Sequence, residues 1–341
     1  MTYIVAEIGQ NHSGSLTMAK ALIDMCVRPT PDHSPNADTR GVDAVKFTMR
    51  DLEHECTPEM MAKAYGNPHA FGATYGEHRT ALELSPAEHA ELYTYAKAHG
   101  LDFVETLCAP RCVDWLTFTP DRLKVASRDL TNLPLLERMA ETGVPMIMST
   151  GMASVTDITD AIATVVDYHD DITLLHCVSS YPAHFRALDL RCLDTLSHFG
   201  FPVGYSDHSQ GIVAAVAAVA LGATVIEKHV TLDRSMRGTD HAGSLARDGL
   251  WRMVRDIRNT ELAMGSGHID RHPASEHARR KLERSCATSA DLPAGTVLTE
   301  SHITLLSPGT GHRWVDRHVL VGQTLTANTP AGTIITEALC R

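Results

Sequence analysis

The sequence has no run of eighteen apolar residues, and no cluster of basic residues follows its first methionine. A membrane-spanning helix needs about 20 apolar residues, and a secretory signal begins with a basic segment. We therefore expect neither feature. The eight cysteines are spread over 341 residues without regular spacing, a pattern typical of reduced thiols in a cytoplasmic protein rather than of a disulfide framework.

Basic residues are also in the minority: 30 Lys and Arg stand against 41 Asp and Glu, for a formal net charge of −11. Because the basic residues are not gathered in one stretch, no nucleic-acid partner is expected. Apolar residues make up 43% and charged residues 21% of the chain, close to the globular average, which excludes a disordered or collagen-like protein. A Gly-x-Ser-x-Gly motif is missing, so serine hydrolase chemistry has no support.

Short apolar segments of the strand type recur along the first two thirds of the chain, and stretches with helical spacing of apolar positions separate most of them. Eight such units predict an α/β protein with a closed parallel (β/α)8 barrel, the TIM barrel, because open sheets usually contain fewer strands. The predicted strands cover residues 3–7, 43–47, 102–106, 123–127, 145–150, 173–177, 203–206 and 225–229.

The pattern changes after residue 265. We predict a catalytic barrel over residues 1–265, a polar linker over 266–283 and a small all-β domain over 284–341, where Pro-Ala-Gly turns at 293–295 and 330–332 separate short strand-like runs. Two intervals within the barrel are too long for one helix. Residues 28–40 are interpreted as a surface insertion and residues 53–84 as a long loop that shapes a site.

In a barrel of this type the side chains at the carboxyl ends of the strands meet at one rim. The predicted rim has two lysines with several hydroxyls, which would suit a phosphate or a carboxylate, and two histidines on adjacent strands, which would suit a divalent metal. Taken singly, each residue also has a purely structural interpretation, such as a paired lysine or a hydrogen-bonded histidine. Their convergence from eight strands favours a functional site that includes Glu7, Lys46, Thr106, Lys124, Ser127, Asp129, Ser179, Tyr181, Ser206, His208, Glu227 and His229.

The segments that contain these residues resemble the sialic acid synthase (N-acetylneuraminate synthase) family. Members of this family condense phosphoenolpyruvate with an aldose to form a 2-keto-3-deoxy sugar acid. Residues 284–341 resemble the antifreeze-like (SAF) domain that ends these synthases. The resemblance runs in order along essentially the whole chain. The barrel segments that carry it are residues 6–14 (AEIGQNHSG), 44–47 (AVKF), 123–127 (LKVAS), 148–152 (MSTGM), 176–182 (HCVSSYP), 204–208 (GYSDH), 227–233 (EKHVTLD) and 238–241 (GTDH).

The resemblance implies a role for each matching residue. His208 and His229 match two ligands of a divalent metal, Mn²⁺ with Mg²⁺ or Co²⁺ as alternatives. The resemblance also implies a domain-swapped homodimer in which the antifreeze-like domain of one subunit covers the barrel of the other. The implied catalytic residues are Glu7, Lys46, Lys124, Asp129 and Asp240, and the implied substrate-binding residues are Thr106, Ser127, Arg128, Ser179, Tyr181, Ser206 and Glu227.

Three positions depart from the family pattern. Arg128 stands where a glycine is expected, Ser307 replaces an arginine of bacterial members, and Ser179 replaces an asparagine used by some members. The Arg128 guanidinium could bind a phosphate or carboxylate of the substrate, or pair with Asp129. Three hypotheses stay open: a synthase acting on an N-acetylmannosamine-like aldose or its 6-phosphate, the same condensation on an unusual aldehyde of secondary metabolism, and a catalytically idle saccharide-binding protein.

Overall fold

The computed structural model describes residues 1–27 and 41–341. Eight parallel strands close into a barrel in which β1 pairs with both β2 and β8, which confirms the predicted (β/α)8 fold. The predicted insertion at 28–40 lies outside the described residues. The strands are β1 Tyr3–Gly9, β2 Ala44–Met49, β3 Asp102–Leu107, β4 Arg122–Val125, β5 Met146–Ser149, β6 Ile172–Cys177, β7 Val203–Asp207 and β8 Val225–His229.

Helices follow the strands and cover the outside of the barrel. Two of them, α5 and α8, begin with a capping box in which a serine and an acidic residue three positions later satisfy free backbone N–H groups. The barrel helices are α1 Leu16–Val27, α2 Leu52–Glu55, α3 Pro58–Ala62, α4 Tyr75–Thr80, α5 Pro86–Ala98, α6 Arg111–Asp114, α7 Leu133–Ala140, α8 Val155–Val166, α9 Cys192–Ser197, α10 Val213–Ala220 and α11 Arg247–Met264.

Alternation along the strands separates two apolar layers. Inward-facing side chains pack with one another inside the barrel, while outward-facing ones such as Phe47 and Phe103 pack among the buried residues of the covering helices. This filling of the interior leaves the carboxyl ends of the strands as the place where a cavity can form. The inner layer consists of Val5, Ala44, Val104, Ile147, Leu175 and Val225.

Two local differences from the prediction affect the site. Strand β4 ends at Val125 rather than at residue 127, because Ser127–Asp129 form a 3₁₀ turn. The interval 53–84, predicted as a long loop, contains most of α2 and all of α3 and α4. Capping explains the last two helices, since Thr57 and Thr74 accept N-terminal backbone N–H groups.

The chain divides into two compact units, residues 1–265 and 266–341. The second unit contains helix α12 (Glu276–Leu282), within the segment predicted as a linker, and the antiparallel strands β9 (Ser285–Thr288) and β10 (Ile303–Leu306). This small antiparallel sheet agrees with the predicted all-β domain. Its core is formed by Cys286, Leu292, Leu298, Ile303, Leu320, Leu325 and Ile335.

All eight cysteines are free thiols. Within residues 1–27 and 41–341, no helix combines the length and the apolar character that crossing a membrane requires.

One buried ion pair joins β3 to helix α5. The Nδ1 atom of His89 lies 2.9 Å from Oε2 of Glu105, and both side chains are almost completely buried. Although burial disfavours the imidazolium, the charge and hydrogen bond of Glu105 raise the pKa of His89 above its ordinary value. The pair therefore contributes stability when His89 is protonated.

We expect His89→Gln to lower the free energy of unfolding by about 3 kcal/mol at pH 6, because Glu105 then loses its buried counter-charge. A raised folded-state pKa stabilises below the unfolded value of about 6.5, and that stabilisation disappears as the pH rises through the folded-state pKa. The loss should therefore be smaller at pH 9. Urea unfolding at both pH values measures it, with exposed His198→Gln as control; equal losses at both pH values would contradict the charged pair.

Candidate active site

A cavity of about 470 Å³ opens at the carboxyl ends of the barrel strands. The structure brings almost the entire predicted set of site residues to its wall. Asp129 is the exception, because it is not among the lining residues. Those that line the cavity are Glu7, Lys46, Thr106, Lys124, Ser127, Arg128, Ser179, Tyr181, Ser206, His208, Glu227, His229 and Asp240.

Lys46 lies at the floor of this cavity. Its Nζ is 2.7 Å from Oε2 of Glu7 and 3.8 Å from Oε2 of Glu227, and it donates a hydrogen bond of 3.0 Å to Thr106. Burial disfavours the ammonium, yet the carboxylates of Glu227 and Glu7 raise the pKa of Lys46. Lys46 is therefore a fixed positive charge at neutral pH.

Lys124 is a second buried lysine on this floor. Its Nζ donates to Oγ of Ser149 at 2.6 Å and to the carbonyl of Val125 at 2.9 Å. Burial lowers the pKa of Lys124. Both hydrogen-bond partners are neutral, so the remaining attraction of Lys124 is available to a bound anion.

The two floor carboxyl groups do not balance the two lysines. Burial raises the pKa of Glu7 to about 7, with a further contribution from the charge of Glu227. Burial also acts on Glu227, but Lys124 and Lys46 outweigh it and hold the pKa of Glu227 at about 2. When both lysines are protonated, the floor has two ammonium groups against one full and one partial negative charge at pH 7. This surplus favours a small anion with more than one charge.

Hydroxyl groups from neighbouring strands surround the lysines. Ser206 donates to Oε1 of Glu227 at 2.9 Å, and Ser127 accepts the N–H of Gly151 at 3.1 Å. A Cβ atom on Gly151 would come within 2.7 Å of Oγ of Ser179, so only glycine allows this close approach. The result is a compact ring of hydrogen-bonding groups that can hold phosphate or carboxylate oxygens.

His208 and His229 face each other at the ends of β7 and β8, with ring centroids 5.6 Å apart. Nδ1 of His208 is 2.8 Å from the carbonyl of Val178, which assigns the proton to Nδ1 and leaves Nε2 with a free lone pair. Burial and the neighbouring His229 lower the pKa of His208 to about 4, and burial also lowers that of His229. Both rings are therefore neutral, the form that binds a metal.

The donor set around these rings fits a divalent cation with open positions. Nδ1 of His229 is buried without a hydrogen-bond partner and lies 3.9 Å from Oδ2 of Asp240. In the described part of the chain, no group of three or more His, Cys, Asp or Glu side chains is arranged to hold a metal. Two imidazoles would thus supply part of the coordination, and oxygen atoms of water or substrate would have to supply the rest.

Behind the histidines, a buried ion pair joins β7 to β8. Asp207 and Lys228 are paired across the strands, and Nζ of Lys228 is 2.7 Å from Oδ2 of Asp207. Each precedes one of the two histidines in sequence, so the pair fixes the register in which the rings face each other. Neither Asp207 nor Lys228 lines the main cavity.

Asp129 is held away from the cavity by the 3₁₀ turn that follows β4. Its Oδ2 accepts a hydrogen bond of 3.1 Å from Nε of Arg128, and burial raises the pKa of Asp129. The predicted pairing of Arg128 with Asp129 is therefore present. Asp129 does not line the cavity, and its contact with a substrate, implied by the family resemblance, stays a prediction.

Several lining residues were not selected from the sequence. They come mainly from the interval 53–84 and its surroundings, which the sequence predicted as site-shaping without indicating particular side chains. The alternation of side chains along a strand predicts which residues reach the rim, whereas a long insertion has no such periodicity. The additional lining residues include Gln10, Thr48, Arg50, Tyr65, Asn67, Arg79, Glu83 and Thr239.

Comparison with known proteins agrees with this architecture. Residues 35–269 match the NeuB family, and residues 283–339 match the SAF domain. The chain is 35% identical to the N-acetylneuraminate-9-phosphate synthase of Homo sapiens over 306 residues, covering 89% of this chain and 82% of that protein. It is also 35% identical to the N,N'-diacetyllegionaminic acid synthase of Legionella pneumophila, covering 98% of this chain and 93% of that protein.

A solved structure shows the same likeness. The N-acetylneuraminic acid synthetase of Leptospira borgpetersenii, crystallised with citrate, superposes with a TM-score of 0.67 at 29% identity, covering 81% of this chain and 90% of that one. Family matches over both units, relatives above 30% identity and a shared barrel all point to one assignment. The chain is an enzyme that belongs to the NeuB family of sialic acid-type synthases and ends in a SAF domain.

Proposed function

We propose that this enzyme condenses phosphoenolpyruvate with an aldose, N-acetylmannosamine-like or its 6-phosphate, to form a 2-keto-3-deoxy sugar acid and phosphate. The observation that carries the proposal is the pair of buried lysines with a surplus of positive charge, set among hydroxyls and beside two neutral histidines. Phosphoenolpyruvate carries a carboxylate and a phosphate, and it is the kind of small multiply charged anion that such a floor binds.

The reaction that fits is the formation of one carbon–carbon bond. C3 of the enolpyruvate attacks the aldehyde carbon, and the aldehyde oxygen takes a proton to become a hydroxyl. Water adds to the cation that develops at C2 and gives up its proton. The C2–O bond to phosphate then breaks, and loss of the remaining hydroxyl proton leaves a ketone.

Each group of lining residues has a proposed task. Lys46 and Lys124, with Thr106, Ser127, Ser179 and Ser206, hold the carboxylate and phosphate of the donor. Glu7 has a pKa of about 7, so it can bind or release a proton at neutral pH. Tyr181, Glu227, Asp240 and Arg128 position the aldose.

We also propose that His208 and His229 bind a divalent metal, with Mn²⁺ favoured over Mg²⁺ or Co²⁺. When bound, such an ion polarises an aldehyde carbonyl and so makes its carbon more electrophilic. The neutral imidazoles and the unpartnered Nδ1 of His229 support this part of the proposal. The domain-swapped homodimer and the cytoplasmic location stay predictions from the sequence.

Release of inorganic phosphate from phosphoenolpyruvate tests the proposal across a panel of aldoses, free and 6-phosphorylated, with and without Mn²⁺. We expect release that requires both an aldose and the metal. Donor and metal binding without release for any panel member would favour an unusual aldehyde. Saccharide binding without donor binding would contradict the proposed reaction and favour the idle binding protein.

A further inference from the structure

The main cavity contains a second set of cations above the floor lysines. Arg50 follows Lys46 by four residues, beyond the end of β2, and Arg128 follows Lys124 in the same way. Arg79 reaches the same cavity from helix α4. The side chains of Arg50 and Arg128 are 15% and 31% exposed, whereas that of Lys46 is 5% exposed. The arginines therefore lie nearer the solvent than the lysines.

Two of these arginines share one carboxylate. Nη1 of Arg50 and Nη2 of Arg128 lie 2.7 Å and 2.6 Å from the same oxygen, Oε1 of Glu55. Arg128 also contacts Asp129, but its Nη2 is buried without an aligned hydrogen-bond acceptor. Two guanidinium groups thus compete for Glu55, and part of their donor capacity is unused.

Arg79 has only neutral partners. Its Nη1 donates to Oε1 of Gln10 at 2.6 Å, its Nε donates to the hydroxyl of Tyr75 at 3.0 Å, and its guanidinium lies over the Tyr75 ring. Among residues 1–27 and 41–341, no carboxylate lies within ion-pair distance of it. These contacts hold the guanidinium in place without neutralising it, as expected of a group that receives an external anion.

The acidic residues beside these arginines do not cancel the positive charge of the guanidinium groups. Burial raises the pKa of Glu83 to about 7, so Glu83 is only partly ionised at neutral pH. Oε1 of Glu83 lies 3.5 Å from Nε of Arg50. Because Glu83 pairs with Arg50, it does not provide Arg79 with a full counter-charge. Arg50, Arg79 and Arg128, the arginine wall, all line the cavity, and they give its upper part excess positive charge that is separate from the floor lysines.

We infer that the acceptor aldose carries an anionic group, a phosphate or a carboxylate remote from its aldehyde, and that Arg79 with Arg128 binds this group. The inference rests on the proposed function, because it needs the donor to occupy the floor lysines. An acceptor placed between the donor and the arginine wall would then present its aldehyde to the donor and its anionic end to the guanidinium groups.

The test compares three acceptors with the same ring: a neutral aldose, its 6-phosphate and the corresponding uronic acid. Phosphate release from phosphoenolpyruvate gives kcat/KM for wild type, Arg79→Gln and Arg128→Gln. Arg111→Gln is the matched control, because Arg111 is an exposed arginine that does not line the cavity. Arg79→Gln is suitable as the main variant, since the amide nitrogen of glutamine lies about where Nε of arginine does and can still donate to the Tyr75 hydroxyl.

We expect wild type to prefer an anionic acceptor. Arg79→Gln should lower kcat/KM for that acceptor by about 10- to 100-fold, because a charge-assisted hydrogen bond usually contributes that much. The neutral aldose and the KM for phosphoenolpyruvate should change by less than about twofold. The better of the 6-phosphate and the uronic acid identifies the anion. Equal use of the neutral aldose by wild type, or equal losses for neutral and anionic acceptors in Arg79→Gln, would overturn the inference.

A binding experiment separates this inference from the proposed reaction. Calorimetry in metal-free buffer, with phosphoenolpyruvate present to occupy the floor lysines, compares mannose 6-phosphate and mannuronic acid with mannose in wild type and in Arg79→Gln. If no acceptor releases phosphate but mannose 6-phosphate binds through Arg79, the reaction is wrong and the anion site stands. If Arg79→Gln and wild type bind both anionic sugars equally, the anion site is wrong.

Discussion

Lys124→Met is expected to lower kcat/KM for phosphoenolpyruvate by about 10³-fold. Methionine keeps most of the length of the side chain but removes the amino group that Ser149 and the Val125 carbonyl hold in the cavity. Lys46 would then be the one lysine left on the floor to balance the carboxyl groups of Glu7 and Glu227. The floor would lose its surplus of positive charge, and with it the attraction for a multiply charged donor.

The control for this substitution is Lys97→Met. Lys97 pairs with Asp102 and Asp121 and lies on the surface, away from the cavity. Its loss should change kcat/KM by less than about twofold. Steady-state kinetics with phosphoenolpyruvate as the varied substrate measure both variants, and circular dichroism checks that they fold. A Lys124→Met enzyme with nearly normal kcat/KM would remove Lys124 from the donor site.

The second large effect is expected at the histidine pair. His229→Ala should weaken Mn²⁺ binding by at least about 100-fold, since even changes to groups that only orient a ligand can weaken it by that factor. Condensation should fall in parallel, because an aldehyde without a polarising cation is a poor electrophile. His208 would keep its hydrogen bond to the Val178 carbonyl, so the variant tests a ligand rather than the fold.

Calorimetric titration with Mn²⁺ measures this loss directly and does not depend on turnover. His198→Ala provides the comparison, because His198 is an exposed histidine on the outer helix layer. Wild-type Mn²⁺ affinity in His229→Ala would exclude His229 as a ligand. Lost affinity with full activity would instead show that the bound metal is unnecessary.

The barrel was predictable from the sequence because its strands are short, apolar and regularly separated by helical segments. The boundaries were less accurate where local hydrogen bonding competes with the sheet. Strand β4 illustrates this, since residues 127–129 leave the sheet for a 3₁₀ turn. That turn also removes Asp129 from the cavity, a consequence that strand periodicity cannot reveal.

The rim lysines and histidines were predictable for the same geometric reason: strand ends converge. The arginine wall was not, because Arg50 lies just beyond a strand and Arg79 lies within the interval 53–84. Their positions depend on capped short helices and on hydrogen bonds to Gln10 and Tyr75. Similarly, only three-dimensional pairing distinguishes the buried Lys228, bonded to Asp207, from a lysine that faces a ligand.

The most direct test of the proposed condensation is mass spectrometry of the products made from phosphoenolpyruvate labelled with ¹³C at C3 and ¹⁸O at the C2–O–P bridge. With an aldose and Mn²⁺, the account predicts a sugar acid that has gained the labelled three-carbon unit, together with inorganic phosphate that contains the ¹⁸O. Labelled pyruvate with unlabelled phosphate, and no larger acid, would show simple hydrolysis at phosphorus and contradict the central claim.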